Sequence, residues 1–226
     1  MEINKRIEKA REVMKKYKVD AYIVTSSDYH QSEYIDDYFK GREYLSGFTG
    51  SAGVLVIFKD EACLWTDGRY HIQAENQLKA SEVKLFKQGN LGVPTYKEYI
   101  ISKLTENSKI GIDTKILLSS DVNEILSNKK YKIVDFDLLA EVWDKRKKLP
   151  DGKIFVLEDK YTGKTYKEKV KEIRTALKEK GADYNIISSL DDIAWMYNFR
   201  GCDVIHNPVA LSFTIISEKK INTIYR

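Results

Sequence analysis

Two segments of the sequence contain residues suited to binding or catalysis. One is the run Tyr38–Gly53, in which glycines recur at three-residue steps. The other is Leu64–Tyr70, where Arg69 falls in the first turn of an expected helix, just after a strand ends. The helix dipole disfavours a cation at that position. Arg69 is therefore a candidate for contact with a carboxylate or a peptide carbonyl, and a structural salt bridge within the domain explains it equally well.

Other kinds of catalytic site find little support in the sequence. No H-E-x-x-H, no C-x-x-C and no pair of histidines four residues apart is present, so a self-contained metal centre is not expected. No G-x-S-x-G nucleophile motif appears. Gly47, Gly50 and Gly53 fit neither the P-loop nor the dinucleotide fingerprint, and they favour tight backbone approach beside a hairpin. Three histidines are predicted to have surface or structural roles: His30, His71 and His206.

The composition excludes several classes of protein. Hydrophobic residues make up 42% of the 226 residues, which is enough to build a core. The 38 Lys and Arg nearly balance the 34 Asp and Glu. The resulting net charge of +4 is too small to indicate a nucleic-acid-binding protein. Apolar runs such as Val54–Phe58 are far too short to span a membrane. Cys63 and Cys202 lie in unrelated contexts, which excludes a disulfide framework and favours a reducing, cytoplasmic location.

Hydrophobic periodicity and turn signals predict an α/β fold in the first part of the chain. The polar and aromatic stretch Ser26–Tyr44 has no clean period and is predicted to be a loop. Strands Val54–Phe58 and Ala62–Thr66 flank a polar turn and are predicted to form a hairpin, whereas later strands alternate with helices, so the sheet should be mixed. The other predicted elements are a helix over Ile3–Tyr17, a strand over Asp20–Thr25, a helix capped by Asp67 and running to Leu78, a strand over Val83–Phe86, a helix after the T-x-x-E box of Thr95 and Glu98, a strand over Lys109–Ile112, a helix from Ser119 or Ser120, and a strand over Lys130–Phe136.

The amino-acid composition of the sequence changes after Trp143. The segment from Asp144 to Gly152 is charged and ends in Pro and Gly, which predicts an interdomain linker. The alternative interpretation is that its basic residues form a phosphate-binding patch. The sequence therefore predicts a first domain over residues 1–143, a linker over 144–152 and a second domain over 153–226.

The second part of the chain repeats the first. A second T-x-x-E box begins a helix that ends at Gly181. The correspondences are residues 182–189 with 19–26, Trp195–Gly201 with Tyr44–Gly50, and Phe199 with Phe48. Self-similarity of this length predicts two copies of one supersecondary unit. Because the first copy continues well beyond its hairpin, the second copy is expected to be incomplete. The sequence is then a fragment of a longer protein, or its second domain takes the missing strands from a partner chain.

The runs Tyr44–Gly53 and Leu64–Ala74 closely resemble the N-terminal domain of the three-domain Xaa-Pro aminopeptidases, also called aminopeptidase P. In the second half, Leu190–Gly201 and the stretch up to Val209 look like the middle domain of that family. The resemblance covers nearly the whole chain. His206 is a departure, because the family often has an aromatic residue before the Asn-Pro pair.

The resemblance implies two copies of the creatinase N-terminal fold, the second truncated, and a separate catalytic domain of pita-bread shape. In that third domain two Asp, one His and two Glu hold two metal ions, usually Mn²⁺, which activate a water molecule. The resemblance implies no catalytic or metal-binding residue in this chain, and the chain alone is expected to be inactive.

The resemblance also implies partners and one site residue. The substrate is a peptide with proline at position two, and the N-terminal domains cap the cleft, restrict substrates and contribute to a homodimer. Their further partner is the protein's own C-terminal catalytic domain. Arg69 matches a family arginine implicated in substrate contact, and the loop Tyr29–Arg42 is a further candidate for lining the same cleft.

Alternatives from other classes stay open at this point. Creatinase and prolidase share the architecture but usually have a single N-terminal domain. A non-enzymatic, peptidase-like binding module is found among histone-chaperone relatives that lost the metal ligands, although the near-neutral charge disfavours a histone or DNA partner. A freestanding adaptor that ends at Arg226 is the last alternative, against which the incomplete repeat argues.

Overall fold

The computed structural model describes residues 2–128 and 130–225, and the chain divides into two compact units. The first unit comprises Met1–Tyr29 and Asp37–Lys147, and the second comprises His30–Asp36 and Lys148–Arg226. The predicted domain boundaries stay predictions. Three positions inside the predicted domains lie outside the described residues: Met1, Lys129 and Arg226.

The first unit is an α/β structure whose elements alternate along the chain. Its α-helices are α1 (Glu2–Tyr17), α2 (Gly41–Ser46), α3 (His71–Leu78), α4 (Tyr96–Lys103), α5 (Ser119–Asn128) and α6 (Leu138–Val142). Its strands are β1 (Ala21–Thr25), β2 (Val54–Phe58), β3 (Ala62–Thr66), β4 (Val83–Lys87), β5 (Lys109–Ile112) and β6 (Lys132–Asp135). The predicted hairpin strands β2 and β3 are confirmed at both ends, and α6 was not predicted.

A six-stranded sheet in the order β4-β3-β2-β1-β5-β6 organises the first unit. Strands β1, β2 and β3 pair antiparallel, whereas β3 with β4, β1 with β5 and β5 with β6 pair parallel, so the predicted mixed sheet is confirmed. Alternate residues of β1 face opposite sides of the sheet. Tyr22 and Val24 join the core built on α1, α2 and α6, and Ala21 and Ile23 join the core built on α4 and α5.

The stretch Ser26–Tyr44 is not entirely a loop, and that prediction was wrong for its last third. A short 3₁₀ helix covers Asp37–Phe39, and α2 begins at Gly41. Gly47 ends α2 in the left-handed conformation, with φ of 74°. A helix of six residues is too short to show a period, and it is stabilised by tertiary packing.

Arg42 of α2 is a buried cation, with 4% of its surface exposed. Its guanidinium donates hydrogen bonds to neutral oxygens: the hydroxyl of Ser26, the carbonyl of Phe48 at 2.9 Å and the carbonyl of Gly50. It also lies 4.7 Å from the centre of the Phe48 ring. Burial lowers the pKa of Arg42 to about 10, so the group stays charged at neutral pH. The segment that follows α2 is therefore folded around one positive charge.

The glycines of this segment make room for that arrangement. A Cβ atom on Gly50 would lie 2.3 Å from the ring of Phe48. A Cβ atom on Gly53 would lie 2.8 Å from the carbonyl oxygen of Trp65, on the neighbouring strand. Both positions confirm that the glycines allow close approach beside the hairpin.

The second unit contains a smaller set of elements. In the part of it that the structure describes, the helices are α7 (Asp159–Thr162), α8 (Tyr166–Glu179) and α9 (Leu190–Tyr197). The strands are β7 (Phe155–Val156), β8 (Tyr184–Ile187), β9 (Phe199–Arg200), β10 (Ser212–Ser217) and β11 (Ile221–Tyr225). Strands β8, β10 and β11 form an antiparallel sheet in the order β11-β10-β8, and β7 pairs with β9.

The predicted internal repeat is confirmed by the order of the elements. Apart from the two-residue strand β9, the series α8-β8-α9-β10-β11 follows α1-β1-α2-β2-β3, and the two hairpins pair with β8 and β1 in the same way. The helix ends also correspond. Lys18 after α1 and Gly181 after α8 are left-handed, with φ of 56° and 62°, as are Gly47 after α2 and Asn198 after α9.

One contact between a cation and an aromatic residue is repeated as well. Arg6 of α1 donates a 2.7 Å hydrogen bond to the carbonyl of Tyr44 and lies 4.3 Å from the centre of its ring. Lys169 of α8 donates a 2.8 Å hydrogen bond to the carbonyl of Trp195 and also lies 4.3 Å from that ring. Each copy thus uses a cation of its first helix to satisfy a carbonyl near the end of its second helix.

A second contact repeats further along the same helices. Arg11 of α1 donates a 3.1 Å hydrogen bond from Nε to the carbonyl of Phe58, the last residue of β2. Arg174 of α8 donates a 3.0 Å hydrogen bond from Nε to the carbonyl of Ser217, the last residue of β10. In both copies an arginine therefore ties the first helix to the start of the hairpin turn.

Glu61, beside the β2–β3 turn, is a buried carboxylate at the centre of a charge cluster that reaches the surface. Its carboxylate accepts hydrogen bonds from Lys84 at 2.6 Å, from the Tyr99 hydroxyl at 2.8 Å and from Lys103. Burial by itself raises the pKa of Glu61, but the hydrogen bonds from Lys103, Lys84 and Tyr99 outweigh burial and lower the pKa to about 2.

Replacing Arg42 should destabilise the first unit strongly. Arg42→Met leaves the buried carbonyls of Phe48 and Gly50 without this donor, so the free energy of unfolding should fall by about 3 kcal/mol. The matched control is Arg69→Met, because Arg69 is largely exposed and its loss should cost less than about 1 kcal/mol. Urea unfolding followed by circular dichroism measures both, and equal losses for the two variants would contradict the role of Arg42.

The Glu61 cluster predicts acid sensitivity. The pKa of Glu61 in the folded state lies below its unfolded value of about 4.3, so its contribution to stability is present above that value and is lost as the pH falls toward 2. Glu61→Gln should lower the free energy of unfolding by about 1–2 kcal/mol at pH 7 and by less at pH 3. Urea unfolding at both values tests this, and an equal loss at pH 7 and pH 3 would refute it.

Candidate functional site

Arg69 lies at the carboxyl end of β3, in a short 3₁₀ helix over Gly68–Tyr70 that leads into α3. Asp67 caps this turn, as predicted, because its Oδ1 accepts a 3.0 Å hydrogen bond from the backbone nitrogen of Arg69. The turn follows directly from the buried strand, so the position of Arg69 is fixed by the sheet.

Asp67 also binds the side chain of Arg69. The Nε atom of Arg69 donates to Oδ1 at 2.9 Å, and its Nη2 atom donates to Oδ2 at 2.9 Å. This hydrogen bonding, more than any other effect, lowers the pKa of the Asp67 carboxyl, so the carboxylate is ionised at neutral pH. The carboxylate offsets the unfavourable effect of the helix dipole on the cation.

The pair with Asp67 leaves most of Arg69 accessible to solvent. The side chain of Arg69 is 67% exposed. The structure therefore contains the salt bridge that the sequence offered as one explanation, and it also presents the guanidinium at the surface. A role of Arg69 in substrate contact stays a prediction.

The structure brings the two sequence motifs together around Tyr70. The Tyr70 hydroxyl lies 2.7 Å from the hydroxyl of Ser51, and its ring packs edge-to-face on Phe48 with ring centres 5.9 Å apart. The Thr66 hydroxyl donates a 2.7 Å hydrogen bond to the carbonyl of Ala52. The loop that is folded around the charge of Arg42 therefore supports the start of α3.

The loop Tyr29–Arg42 is closely packed at its carboxyl end, and its role in lining a cleft stays a prediction. Phe39 and Arg42 are buried. Tyr38 lies under the guanidinium of Arg146, 3.7 Å from its ring centre, and also packs edge-to-face on Phe39. The aromatic residues of this segment within the first unit therefore pack against each other and against Arg146.

The histidines make structural contacts, in line with the sequence analysis. In the first unit, Nε2 of His71 lies 3.2 Å from the carbonyl oxygen of Thr66. In the second unit, His30 stacks on Phe213 with ring centres 4.3 Å apart, and its Nδ1 lies 2.9 Å from a backbone carbonyl. His206 has a left-handed backbone, with φ of 63°, in a tight turn.

Two features are absent from the part of the chain that the structure describes: a metal centre and a membrane-spanning helix. No three His, Cys, Asp or Glu side chains there are grouped so that they can hold a metal ion. The described helices include none that combines the length and the apolar character needed to cross a bilayer.

Sequence reasoning missed Asp67 as the ion-pair partner of Arg69 and Ser51 as the partner of Tyr70. The signal for the first was present, because an aspartate two residues before an arginine at a helix start can both cap the helix and bind the guanidinium. The contact between Ser51 and Tyr70 crosses from one motif to the other, and no local spacing indicates it.

Both halves of the chain match families with the same description. Residues 6–143 match the Creatinase/Prolidase N-terminal domain, and residues 145–225 match a second family model that is also described as the Creatinase/Prolidase N-terminal domain. The two matches agree with the repeat of secondary structure.

Curated relatives match the chain over most of its length. Xaa-Pro aminopeptidase 1 of Dictyostelium discoideum is 41% identical over 97% of this chain, and Aminopeptidase P2 of Arabidopsis thaliana is 42% identical over 88%. The chain spans only 37% and 29% of the lengths of these two proteins.

A solved structure gives the same result at the level of the fold. The X-prolyl aminopeptidase from Caenorhabditis elegans, described as a cytosolic enzyme with a di-nuclear active site, superposes with a TM-score of 0.92 and is 31% identical. The match covers 100% of this chain and 39% of that protein. The resemblance drawn from the motifs is thereby confirmed, and the chain belongs to the family of creatinase/prolidase N-terminal domains.

Proposed function

We propose that this chain is the non-catalytic N-terminal part of a metal-dependent Xaa-Pro aminopeptidase, which hydrolyses the bond between an N-terminal residue and a following proline. One observation carries the proposal: both copies of the fold lie within a single stretch that is 41% identical to an Xaa-Pro aminopeptidase. A protein with one N-terminal domain, as is usual in creatinase and prolidase, would match only half of the chain.

The proposed chemistry requires two divalent metal ions, which activate a water molecule and polarise the peptide carbonyl. The described residues contain no group of ligands that fits such ions, so no catalytic step is assigned to them. The proposal places the metal ligands in a catalytic domain of the full-length protein, with Mn²⁺ as the expected metal.

Within that enzyme, this chain is proposed to cap the catalytic cleft, to select substrates and to take part in a homodimer in the cytoplasm. Arg69 is the residue proposed to contact the peptide. Its support is geometric, because Asp67 fixes the guanidinium through two hydrogen bonds of 2.9 Å while the side chain stays 67% exposed. An oriented and accessible guanidinium is suited to bind a peptide oxygen.

The first prediction concerns the activity itself. The full-length protein, supplied with Mn²⁺, should release the first residue from peptides with proline at position two, and residues 1–226 alone should release none. Mass spectrometry of the products measures both reactions, and the matching peptide with alanine at position two is the control. A full-length protein that left the proline peptide intact would refute the proposal, and metal-dependent turnover by the 226-residue chain would refute the non-catalytic role.

The second prediction concerns Arg69. In the full-length protein, Arg69→Ala should raise KM for an Xaa-Pro peptide by about tenfold, which is the effect of losing one hydrogen bond to a charged group. Its kcat should change less than its KM. Lys132→Ala, which removes an exposed cation from strand β6, is the control and should leave both constants unchanged. Equal KM values for the Arg69→Ala and wild-type proteins would exclude a contact with substrate.

A further inference from the structure

Four cations lie along one face of α8 and line one surface cavity of about 530 Å³ in the second unit. They are Lys167, Lys171, Arg174 and Lys178, and together they are called the basic row. Their steps of four, three and four residues place them one above the other on the helix. At a rise of about 1.5 Å per residue, the basic row is about 16 Å long. Its lysines are exposed and its arginine is half-buried.

The charge of the basic row is not neutralised within the described part of the chain. Glu172 of the same helix pairs with Lys164 at 2.6 Å, and no described carboxylate forms an ion pair with a member of the row. The Nε atom of Arg174 donates a hydrogen bond to the carbonyl of Ser217, which is an uncharged acceptor. The cavity also has carboxylates of Asp183 and Glu218 in its lining, so its four cations exceed its two anions.

The first copy of the fold shows that the whole basic row is not required for folding. The repeat aligns α8 with α1 so that Lys167 and Lys171 stand where the first copy has Asn4 and Glu8. The helix α1 packs on its sheet without cations at these two places. Cations that the fold does not require, and that no carboxylate neutralises, create a positive potential that attracts an anionic partner.

The first copy also shows which chemistry fits the arginine of this face. Nη1 of Arg11 forms a 2.6 Å ion pair with Glu82, and the side chain of Asn4 accepts a 2.9 Å hydrogen bond from the backbone nitrogen of Glu82. Glu82 directly precedes β4, so a polypeptide segment that carries a carboxylate is bound to this face of α1. Arg174 stands at the place of Arg11 and has no such carboxylate among the described residues. The ligand that matches this face is therefore a carboxylate carried by a polypeptide.

The lysines extend this chemistry from one carboxylate to several. A single acidic residue on Arg174 would leave Lys167, Lys171 and Lys178 without a counter-charge. Neighbouring members of the basic row are about 4.5–6 Å apart along the helix axis. Alternate residues of an extended chain point to the same side and are about 7 Å apart, a difference that flexible lysine side chains can absorb. An extended segment with acidic residues at alternate positions therefore matches the row.

We propose that the basic row of α8 is a docking surface for an acidic polypeptide segment of a partner protein. The segment lies extended along α8, one of its carboxylates binds Arg174 as Glu82 binds Arg11, and its other carboxylates bind the lysines. This surface does not depend on the proposed peptidase activity, because it follows from α8 and from its comparison with α1.

A labelled peptide of alternating glutamate and alanine tests the surface directly. Fluorescence anisotropy should show saturable binding of this peptide to the 226-residue chain, and added salt should weaken the binding because it screens exposed charges. The matching peptide of alternating glutamine and alanine should not bind. Absence of binding by the acidic peptide at low salt would overturn the proposal.

The first copy supplies the variant. Lys167→Asn combined with Lys171→Glu gives α8 the residues that α1 has at these places, so the helix should still fold. The double variant should weaken binding of the acidic peptide by about tenfold, since two contacts are lost and one repulsive charge is added. Lys178→Ala is a second variant, which removes one exposed cation of the row and should weaken binding several-fold.

Lys148→Asn combined with Lys153→Glu is the matched control. Both lysines are exposed residues of the second unit that lie outside the cavity, and the two double variants have the same net charge. The control should bind the acidic peptide as the wild-type chain does, with circular dichroism to verify the fold of every variant. Equal weakening in the two double variants would show that binding follows net charge alone, and would overturn the assignment to α8.

Two further results would assign the surface to another occupant and overturn the proposal. If the acidic peptide bound the 226-residue chain but not the full-length protein, the remaining part of the full-length chain would be the segment that covers α8. If inorganic phosphate displaced the peptide and chloride of the same ionic strength did not, the basic row would be a site for phosphate groups.

Discussion

The buried charge of Arg42 is the interaction on which the first unit depends. A guanidinium removed from water must have its donors satisfied, and here the carbonyls of Phe48 and Gly50 do so. This requirement fixes the chain after α2, and that chain in turn provides the Phe48 ring against which Tyr70 packs. The sheet fixes the turn that contains Arg69, and the contact between Phe48 and Tyr70 connects that turn to the charge of Arg42 in the core. The accessible arginine and the buried arginine belong to one chain of contacts.

Much of the fold was predictable because its main elements carry strong local signals. Strands β2 and β3 are short apolar runs around a polar turn, and their observed ends are the predicted ends. The two T-x-x-E boxes begin α4 and α8 with both reciprocal hydrogen bonds in place. The failure at α2 has the opposite cause. Six residues that include a glycine have little helical preference of their own, and the helix forms because Leu45 is buried in the core with Tyr44 packed against it.

The part of the candidate site that could be predicted is the part that depends on charges close together in the sequence. Arg69 was predicted as a candidate because the helix dipole disfavours a cation at the start of a helix. The cap by Asp67 was expected from its residue type. The contact between Ser51 and Tyr70 joins two separate segments of the chain, so no sequence pattern gives it. The exposure of Ile72 does follow from the helical period, because Ile72 lies two residues before Ala74 and therefore on another face of α3 than the buried Ala74 and Leu78.

The repeated contacts of Arg6 and Lys169 have a consequence for how the two halves diverged from a common ancestor. The side chains differ in both pairs, since arginine with Tyr44 became lysine with Trp195 or the reverse. The backbone carbonyl that each cation satisfies has kept its place after the duplication. A backbone carbonyl is present whatever the residue type, so the contact is retained although both side chains differ between the two copies. Backbone carbonyls that accept a hydrogen bond from a side chain of another helix can therefore indicate an internal repeat even where the residues themselves differ.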